Sequence, residues 1–156
     1  MQIRKATIKD YEAVYSLIKQ LDDFHRRAFP DLIKPTTKKN RSPEWYKKII
    51  YNKKQILILG YEDDSIIGFV QAELVIPKLH PVLNKVKHIN LHDIVINEKF
   101  RGKSYGKKLY LAIEKFAKKN KAQEIVLNVW SFNQDAIKFY KKCGFKPFLI
   151  KMIKSL

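Results

Sequence analysis

The sequence has one cysteine, Cys143, so no disulfide can form within the chain, and its stability must come from packing and hydrogen bonds. Its five glycines form no Gly/Ser-rich tract, which leaves no flexible linker at which to divide the 156 residues. Long apolar runs are missing too. The most apolar stretch, "IIGFVQAELVIP", is too short to cross a bilayer and carries Glu73. The opening "MQIRKATIKD" lacks the apolar core of a signal peptide, so a cytoplasmic protein is expected. No His/Cys group has metal-ligand spacing, and no metal is expected. Neither G-x-x-x-x-G-K-[ST] nor G-x-G-x-x-G occurs, so the usual phosphate-binding loops of nucleotide enzymes are absent.

Acidic residues are also scarce. Fifteen Asp and Glu face 32 Lys and Arg, a formal net charge of +17. Such a balance draws polyanions or phosphate-rich ligands. The cations are nevertheless scattered, at Lys38, Lys47, Lys53, Lys85, Lys107, Lys118 and Lys141 among others. That distribution fits solvated faces better than one binding patch. The alternative function class, a basic nucleic-acid-binding module, also lacks a helix-turn-helix or RNA-binding signature.

What is present is 46% hydrophobic residues with 17 Phe and Tyr, enough for one compact domain over residues 1–156. "IRKAT" alternates like a strand, and Asp10 is placed to cap the following helix, where Ala13, Val14, Leu17, Ile18 and Leu21 recur at helical spacing. An irregular, proline-bearing connection leads to Ser42-Pro43, a helix start. "QILILGY" and "SIIGFVQAELVI" read as a hairpin, and "PKLHPVLNKVK" interrupts before the strand "HINLHDIVI". A helix with Leu109, Ala112, Ile113, Phe116 and Ala117 on one face follows, then the strand "EIVLNVW". Asn133 opens a last helix that Gly144 ends, and "FKPFLIKMI" supplies final strand material. The expected order is β-α-α-β-β-β-α-β-α-β, an α/β fold on a mixed, mostly antiparallel sheet.

Between the fourth strand and the third helix lies "FRGKSYGKKL", with two glycines, cations and no anion. Unpaired amides and the helix dipole make such a turn an anion site. Arg101, Lys103, Lys107 and Lys108 add charge, while Gly102 and Gly106 permit close backbone approach. About 25 residues on, "NVWSFNQDAIKFYKKCGFKPF" supplies Asn133, Ala136, Tyr140, Gly144 and Phe145 in an N-x-x-A-x-x-x-Y-x-x-x-G-F pattern.

Together these two stretches resemble the GNAT superfamily of N-acetyltransferases, which use acetyl-CoA. "RGKSYG" matches the family's R/Q-x-x-G-x-G/A loop at Arg101 and Gly106, with Ser104 where the middle glycine is usual. The opening "IRKATIKD" and Gly68 also fall where the family has comparable features. The resemblance implies a sheet of six to seven strands with about four helices, its fourth and fifth strands splayed to admit the pantetheine arm of CoA. It implies transfer of acetyl from acetyl-CoA to a primary amine, on a small molecule or a protein, by direct attack in a ternary complex. A CoA-binding fold without turnover is the nearer alternative.

Residue by residue, the resemblance implies that Arg101, Gly102, Lys103, Ser104, Tyr105, Gly106 and Lys107 hold the CoA pyrophosphate; a serine in place of the usual glycine is itself expected at ordinary negative φ. Main-chain groups of Ile94 and Ile96 would bind pantetheine, and Asn133 would reach CoA, cap its helix, or do both. Tyr140 is the expected general acid and His92 the expected base. Strand alternation would put Asp93 on the opposite face from His92, so only one of them faces the acceptor. Asp93, Glu73 and His88 are the substitutes for His92. The segment around His25 would overhang the acceptor site, with Asp22 and Asp23 attracting a cationic amine; a solvated helix end is the other reading of His25. A homodimer is compatible with this family.

Overall fold

In a computed structural model that describes residues 1–63, 65–78, 82 and 86–154, the chain lays its strands down almost in sequence order. Strands β1 (Gln2–Lys5), β2 (Gln55–Glu62), β3 (Ser65–Val75), β4 (His88–Ile96) and β5 (Glu124–Leu127) form one sheet in the order β1-β2-β3-β4-β5. The first four pair antiparallel and β4–β5 is parallel. Helices α1 (Tyr11–Ala28) and α2 (Pro43–Tyr51) cover one face. Helix α3 (Tyr105–Lys119), with α4 (Gln134–Lys142) beside it, covers the other. Single 3-10 turns precede α1 and α3. Asp64 and much of the interruption expected at residues 77–87 lie outside the described residues.

The period-2 pattern of the strands creates two cores. Leu57, Leu59, Phe69 and Val95 point to α1 and α2, where Val14, Leu17, Ile18, Tyr46 and Ile49 meet them. Ile56, Ile58, Val70, Ala72, Ile89 and Leu91 point the other way, onto Leu109, Tyr110 and Ile113 of α3. Gly68 is required where β3 crosses Ile96, because a Cβ there would sit 2.3 Å from the Val95 carbonyl oxygen.

Local signals held at α2, where Ser42 Oγ accepts from the Trp45 amide at 3.2 Å and Pro43 begins the helix. The end of α4 also follows expectation. Gly144 takes φ +92° and the Phe145 amide donates back to the Tyr140 carbonyl.

Two expectations are corrected. Five strands form among the described residues, not six to seven, and "FKPFLIKMI" contributes none. Its alternation is strand-like, but after Phe145 no described backbone group finds a partner in the chain. Asp10 does not cap α1 through its side chain. Its carboxylate instead accepts from the Thr7 amide and hydroxyl, at 2.7 and 2.8 Å, and from both terminal nitrogens of Arg4, at 2.9 and 2.7 Å.

Those bonds, led by Arg4, hold the Asp10 carboxyl down to about 2, from an ordinary 3.8. A depressed folded-state value means the stabilisation is complete above about pH 4 and is lost as pH falls toward 2. Asp10→Asn is therefore expected to cost on the order of 2 kcal/mol at neutral pH. In urea titrations the gap between the two proteins should close as pH falls from about 4 to 2, whereas a pH-independent gap would assign the loss to packing.

Candidate active site

Strand β4 carries one more residue than its partner. Ala72 pairs with Leu91 and the next ladder step joins Gln71 to Asp93, so His92 is the extra residue of a β-bulge. The bulge resets the alternation. Leu91 and Ile94 both face α3, while His92 and Asp93 both line a cavity of about 170 Å³ on the α1/α2 side. The expectation that His92 and Asp93 lie on opposite faces is corrected by that extra residue. The β4–β5 ladder stops at the same point. Its last pair is Leu91–Leu127, and residues 92–96 have no strand neighbour on that side among the described residues.

Ile18, Leu21 and Asp22 of α1, Arg41, Trp45 of α2 and Gln71 of β3 complete the cavity. Asp22 is held by Arg41, at 3.2 Å from both Nε and Nη2, and by the Thr36 hydroxyl at 2.7 Å. The Tyr11 hydroxyl donates to the Arg41 carbonyl at 2.8 Å and fixes the backbone there. The Arg41 guanidinium lies 5.1 Å from the Trp45 ring centroid. Asp23 instead pairs with Lys19 on the exposed side of α1.

Asp93 differs from Asp22 in having no side-chain hydrogen bond among the described residues. Burial pushes its carboxyl up, with Asp22 adding to the rise and His92 and Arg41 opposing it. His92 Nε2 stands 3.5 Å from Glu73 Oε2, both side chains about one-third exposed. His88 is turned away, with Nδ1 2.9 Å from the Val86 carbonyl.

Tyr140 approaches the opening from α4, its ring held edge-on between Phe139 and Phe145. Burial pushes its hydroxyl up to about 12, and the charges of Asp93 and Cys143 add to the shift. The Asp93 effect puts the phenol and the cavity carboxylate in electrostatic reach of each other. Asn133 caps α4, its side-chain oxygen accepting from the Ala136 amide at 3.1 Å. Burial raises the Cys143 thiol, with Lys107 partly offsetting it, so it is not an activated nucleophile.

His25 is not a solvated helix end. It is half-buried in a ring cluster with Phe24 of α1, Phe29 just past its end, and Trp130 and Phe132 of the β5–α4 connection, with centroid separations of 5.0–6.5 Å.

At the far end of β4, α3 begins at Tyr105 as expected. The Lys108 amide is the first to bond within the turn, so those of Tyr105, Gly106 and Lys107 lack a backbone partner among the described residues. Gly102 takes φ +80° with nothing within 4 Å of where a Cβ would lie. Ser104 takes φ +60°, correcting the expectation of negative φ. The backbone must reverse hand there to aim the helix amides outward, and serine accepts the strain.

The loop side chains diverge. Arg101 Nε donates to the Ile96 carbonyl at 3.3 Å, and Lys103 lies 5.8 Å from the Phe100 ring centroid. Tyr105 turns its hydroxyl to Glu62, and Lys107 extends over Tyr110 toward Cys143. This loop fits a pyrophosphate: it offers unpaired amides, cations and an open glycine, and the carboxylate that meets it, Glu62, is engaged by the Tyr105 hydroxyl and the N-terminal ammonium. The unpaired flank of β4 fits an extended amide-bearing arm.

The model of the Acetyltransferase (GNAT) family matches residues 18–145. The chain is a GNAT acetyltransferase. Among curated relatives, the uncharacterized N-acetyltransferase YhfO of Bacillus subtilis is 27% identical over 149 residues, covering 94% of this chain and 90% of that protein. The uncharacterized N-acetyltransferase MJ1207 of Methanocaldococcus jannaschii is 28% identical over 85% of this chain, which spans 64% of that protein. In structure, a point mutant of the BH1408 protein from Bacillus halodurans superposes with a TM-score of 0.95 at 25% identity. That likeness covers 100% of this chain and 99% of the other. The aminoglycoside N-acetyltransferase AAC(6')-Iy, solved with CoA, shares the fold at a TM-score of 0.78 and 17% identity over 99% and 93% of the two chains.

In this GNAT chain, Arg41, Trp45 and Gln71 are the cavity residues that sequence reasoning missed. They come from three separate elements and belong to no motif; only Gln71, a polar residue inside an apolar strand, carried a signal.

The left-handed Ser104 gives a direct test. A non-glycine residue there costs about 1–2 kcal/mol, part of which glycine would return as greater freedom in the unfolded chain. Ser104→Gly is expected to raise the melting temperature of the ligand-free protein by roughly 1–3 °C, and Ser104→Val to lower it. A fall with Ser104→Gly in scanning calorimetry would contradict the left-handed geometry.

Proposed function

We propose that this acetyltransferase takes acetyl from acetyl-CoA to a primary amine by direct attack in a ternary complex. The acetyl-CoA would enter the opening between β4 and β5, and the amine the cavity beneath α1 and α2. The observation that carries this reading is the bulge at His92. It turns an imidazole and a partly buried carboxyl into one cavity where the ladder opens, within electrostatic reach of Tyr140.

Bound acetyl-CoA supplies an activated thioester; the remaining tasks fall to the chain. The amides of Tyr105, Gly106 and Lys107, with Gly102, Ser104, Arg101 and Lys103, would hold the pyrophosphate. Main-chain groups of Ile94 and Ile96 would align the pantetheine arm. The Asn133 amide nitrogen is the group left for CoA once its oxygen caps α4.

An amine reaches the site as an ammonium ion and must lose a proton before it attacks. Asp93 is the proposed acceptor of that proton, because its raised carboxyl has no hydrogen-bond partner among the described residues and faces the cavity. His92, steadied by Glu73, then serves to orient the amine. Tyr140, with a value near 12, stays protonated at neutral pH and can donate to sulfur. The anionic lining favours a cationic acceptor, and a more open hollow of about 280 Å³, sharing Asp22 and Arg41, gives room for a larger one.

The direct test is a screen of primary amines with acetyl-CoA, read by thiol release. Turnover with none, despite calorimetric binding of acetyl-CoA, would favour a fold that binds without catalysis. For the best acceptor, Tyr140→Phe is expected to lower kcat on the order of 10²-fold while changing acetyl-CoA affinity little. Unchanged kcat with chemistry rate-limiting would return Tyr140 to a packing role.

The pH profile tests the base. Activity should fall on the acidic side as Asp93 gains its proton. Asp93→Asn is expected to abolish or displace that limb of kcat/KM, and His92→Gln to leave its position unchanged while raising KM. Loss of the limb in His92→Gln alone would make His92 the base.

A further inference from the structure

The cavity of about 170 Å³ and the more open hollow of about 280 Å³ share one ion pair, Asp22 with Arg41. On either side of that pair the charge has opposite sign. The cavity side carries Asp93, which has no side-chain hydrogen bond among the described residues, and Glu73 at the edge beside His92. The open side carries Lys34, which has no ion pair among the described residues.

On the open side the carboxylate and amide oxygens are already used. Asp22 accepts from the Thr36 hydroxyl and from two nitrogens of Arg41. Asn40 Oδ1 accepts from the Thr37 amide at 2.8 Å, and the Asn40 amide nitrogen donates to the Pro35 carbonyl at 3.0 Å. The donors are not used up. Arg41 bonds Asp22 through Nε and Nη2, so Nη1 has no partner among the described residues. Within the pair, the Asp22 side chain is 16% exposed and that of Arg41 35%, so the pair turns its positive member outward. Its bonds, at 3.2 Å, are longer than the 2.7 and 2.9 Å that join Arg4 to Asp10. The Trp45 ring, 5.1 Å from the guanidinium, supports its plane. A guanidinium held in this way with one edge unused is a fork for a planar anion.

We propose that the acceptor is a small amine that also carries a carboxylate. Its ammonium meets Asp93 and Glu73, and its carboxylate is bound by the free edge of Arg41 with Lys34 beside it. The Arg41 charge is felt at Asp93, so the two ends are close enough for one small molecule to meet both. A linear diamine would set its far ammonium against Arg41 and Lys34 and be repelled, and a neutral alkylamine would leave the Arg41 edge unmet. The assignment of the reacting end rests on the acetyl-transfer reading above. The ammonium gives one proton to Asp93, and the freed nitrogen attacks the thioester carbon. The C–N bond forms and the C–S bond breaks. Sulfur takes the Tyr140 proton, and the second proton of nitrogen replaces it, leaving an N-acetylated amino acid and CoA.

The test compares ω-amino acids, from glycine to 6-aminohexanoate, with their primary amides and with diamines of matching length. Turnover is read as kcat/KM by thiol release, and binding by calorimetry on the protein loaded with CoA. At one or more lengths the free acid is expected to exceed its amide by about 10- to 100-fold, mostly through KM, as one charged hydrogen-bonded pair allows. The diamine should fall below both. Arg41→Gln is expected to erase the difference between acid and amide and to raise the diamines relative to both, because Asp22 loses its neutralising partner. Arg41→Lys keeps the charge without the fork and should restore part of the preference. With turnover present, equal acid and amide at every length, a preferred diamine, or a preference that survives Arg41→Gln would overturn the proposal and leave acetyl transfer standing. Carboxylate-dependent binding without turnover would uphold the recognition and overturn acetyl transfer, and the absence of both would overturn both.

Discussion

One additional residue in β4, His92, sets the geometry on which the site depends. Without it, the period of two would carry Asp93 to the α3 face, where Ile89, Leu91 and Ile94 lie, and a carboxylate would be forced among apolar side chains. With it, His92 and Asp93 face the hollow under α1 and α2, and the apolar pattern resumes in phase at Ile94 and Val95. The same irregularity marks the last residue at which β4 and β5 run together. A bulge bends and twists its strand, so it both aims side chains and ends a ladder. Gly68 keeps the opposite side intact: β3 presses against β4 beyond the bulge because no Cβ intervenes. The strand is thus anchored on one flank and unpaired on the other.

The second constraint is at the start of α3. Two residues in positive φ within three positions, Gly102 and Ser104, turn the chain so that helix amides point outward from the sheet edge. That geometry works against local preference at Ser104, and the surrounding elements hold it. The Arg101 side chain is bonded to the end of β4, and Tyr105 is bonded across to β2 through Glu62. A helix terminus exposed in this way is an anion site whatever its side chains, and the cations add a field that salt screens.

The sequence made the order of elements legible because its signals were local. Ser42-Pro43, Asn133 and Gly144 mark helix ends through hydrogen bonds or dihedrals that involve only neighbouring residues. The family motif added the loop and Tyr140 for the same reason, since both lie in contiguous stretches. What was not legible depends on non-local pairing. The bulge at His92 appears only once β3 sets the register, and a period count along β4 alone assigns Asp93 to the wrong face. Arg41 and Trp45 enter the cavity because Tyr11 and Asp22 hold the connection between α1 and α2 in place. Alternation in residues 148–153 signals strand propensity, but a strand needs an edge, and the chain's own fold does not bring one to it.

The net charge of +17 acquires a meaning from the placement of the few anions. Asp22 and Asp93 stand in the cavity, and Glu73 at its edge beside His92. A molecule this basic would attract an anionic cosubstrate from a distance, while a cationic acceptor, if that is what it takes, would be repelled until it met that local cluster. The screening length is about 8–10 Å at physiological ionic strength, so the acceptor responds mainly to nearby charges once it reaches the mouth. There the Arg41 guanidinium neutralises Asp22 in a paired geometry and leaves Asp93 as the cavity carboxyl without a hydrogen-bonded partner among the described residues. Its burial raises the cost of ionisation, so an incoming ammonium ion would be the charge that offsets it. On the proposed reaction, recognition of the amine and removal of its proton would both fall to one carboxyl, and the environment of Asp93, more than the total charge, would decide which acceptors react.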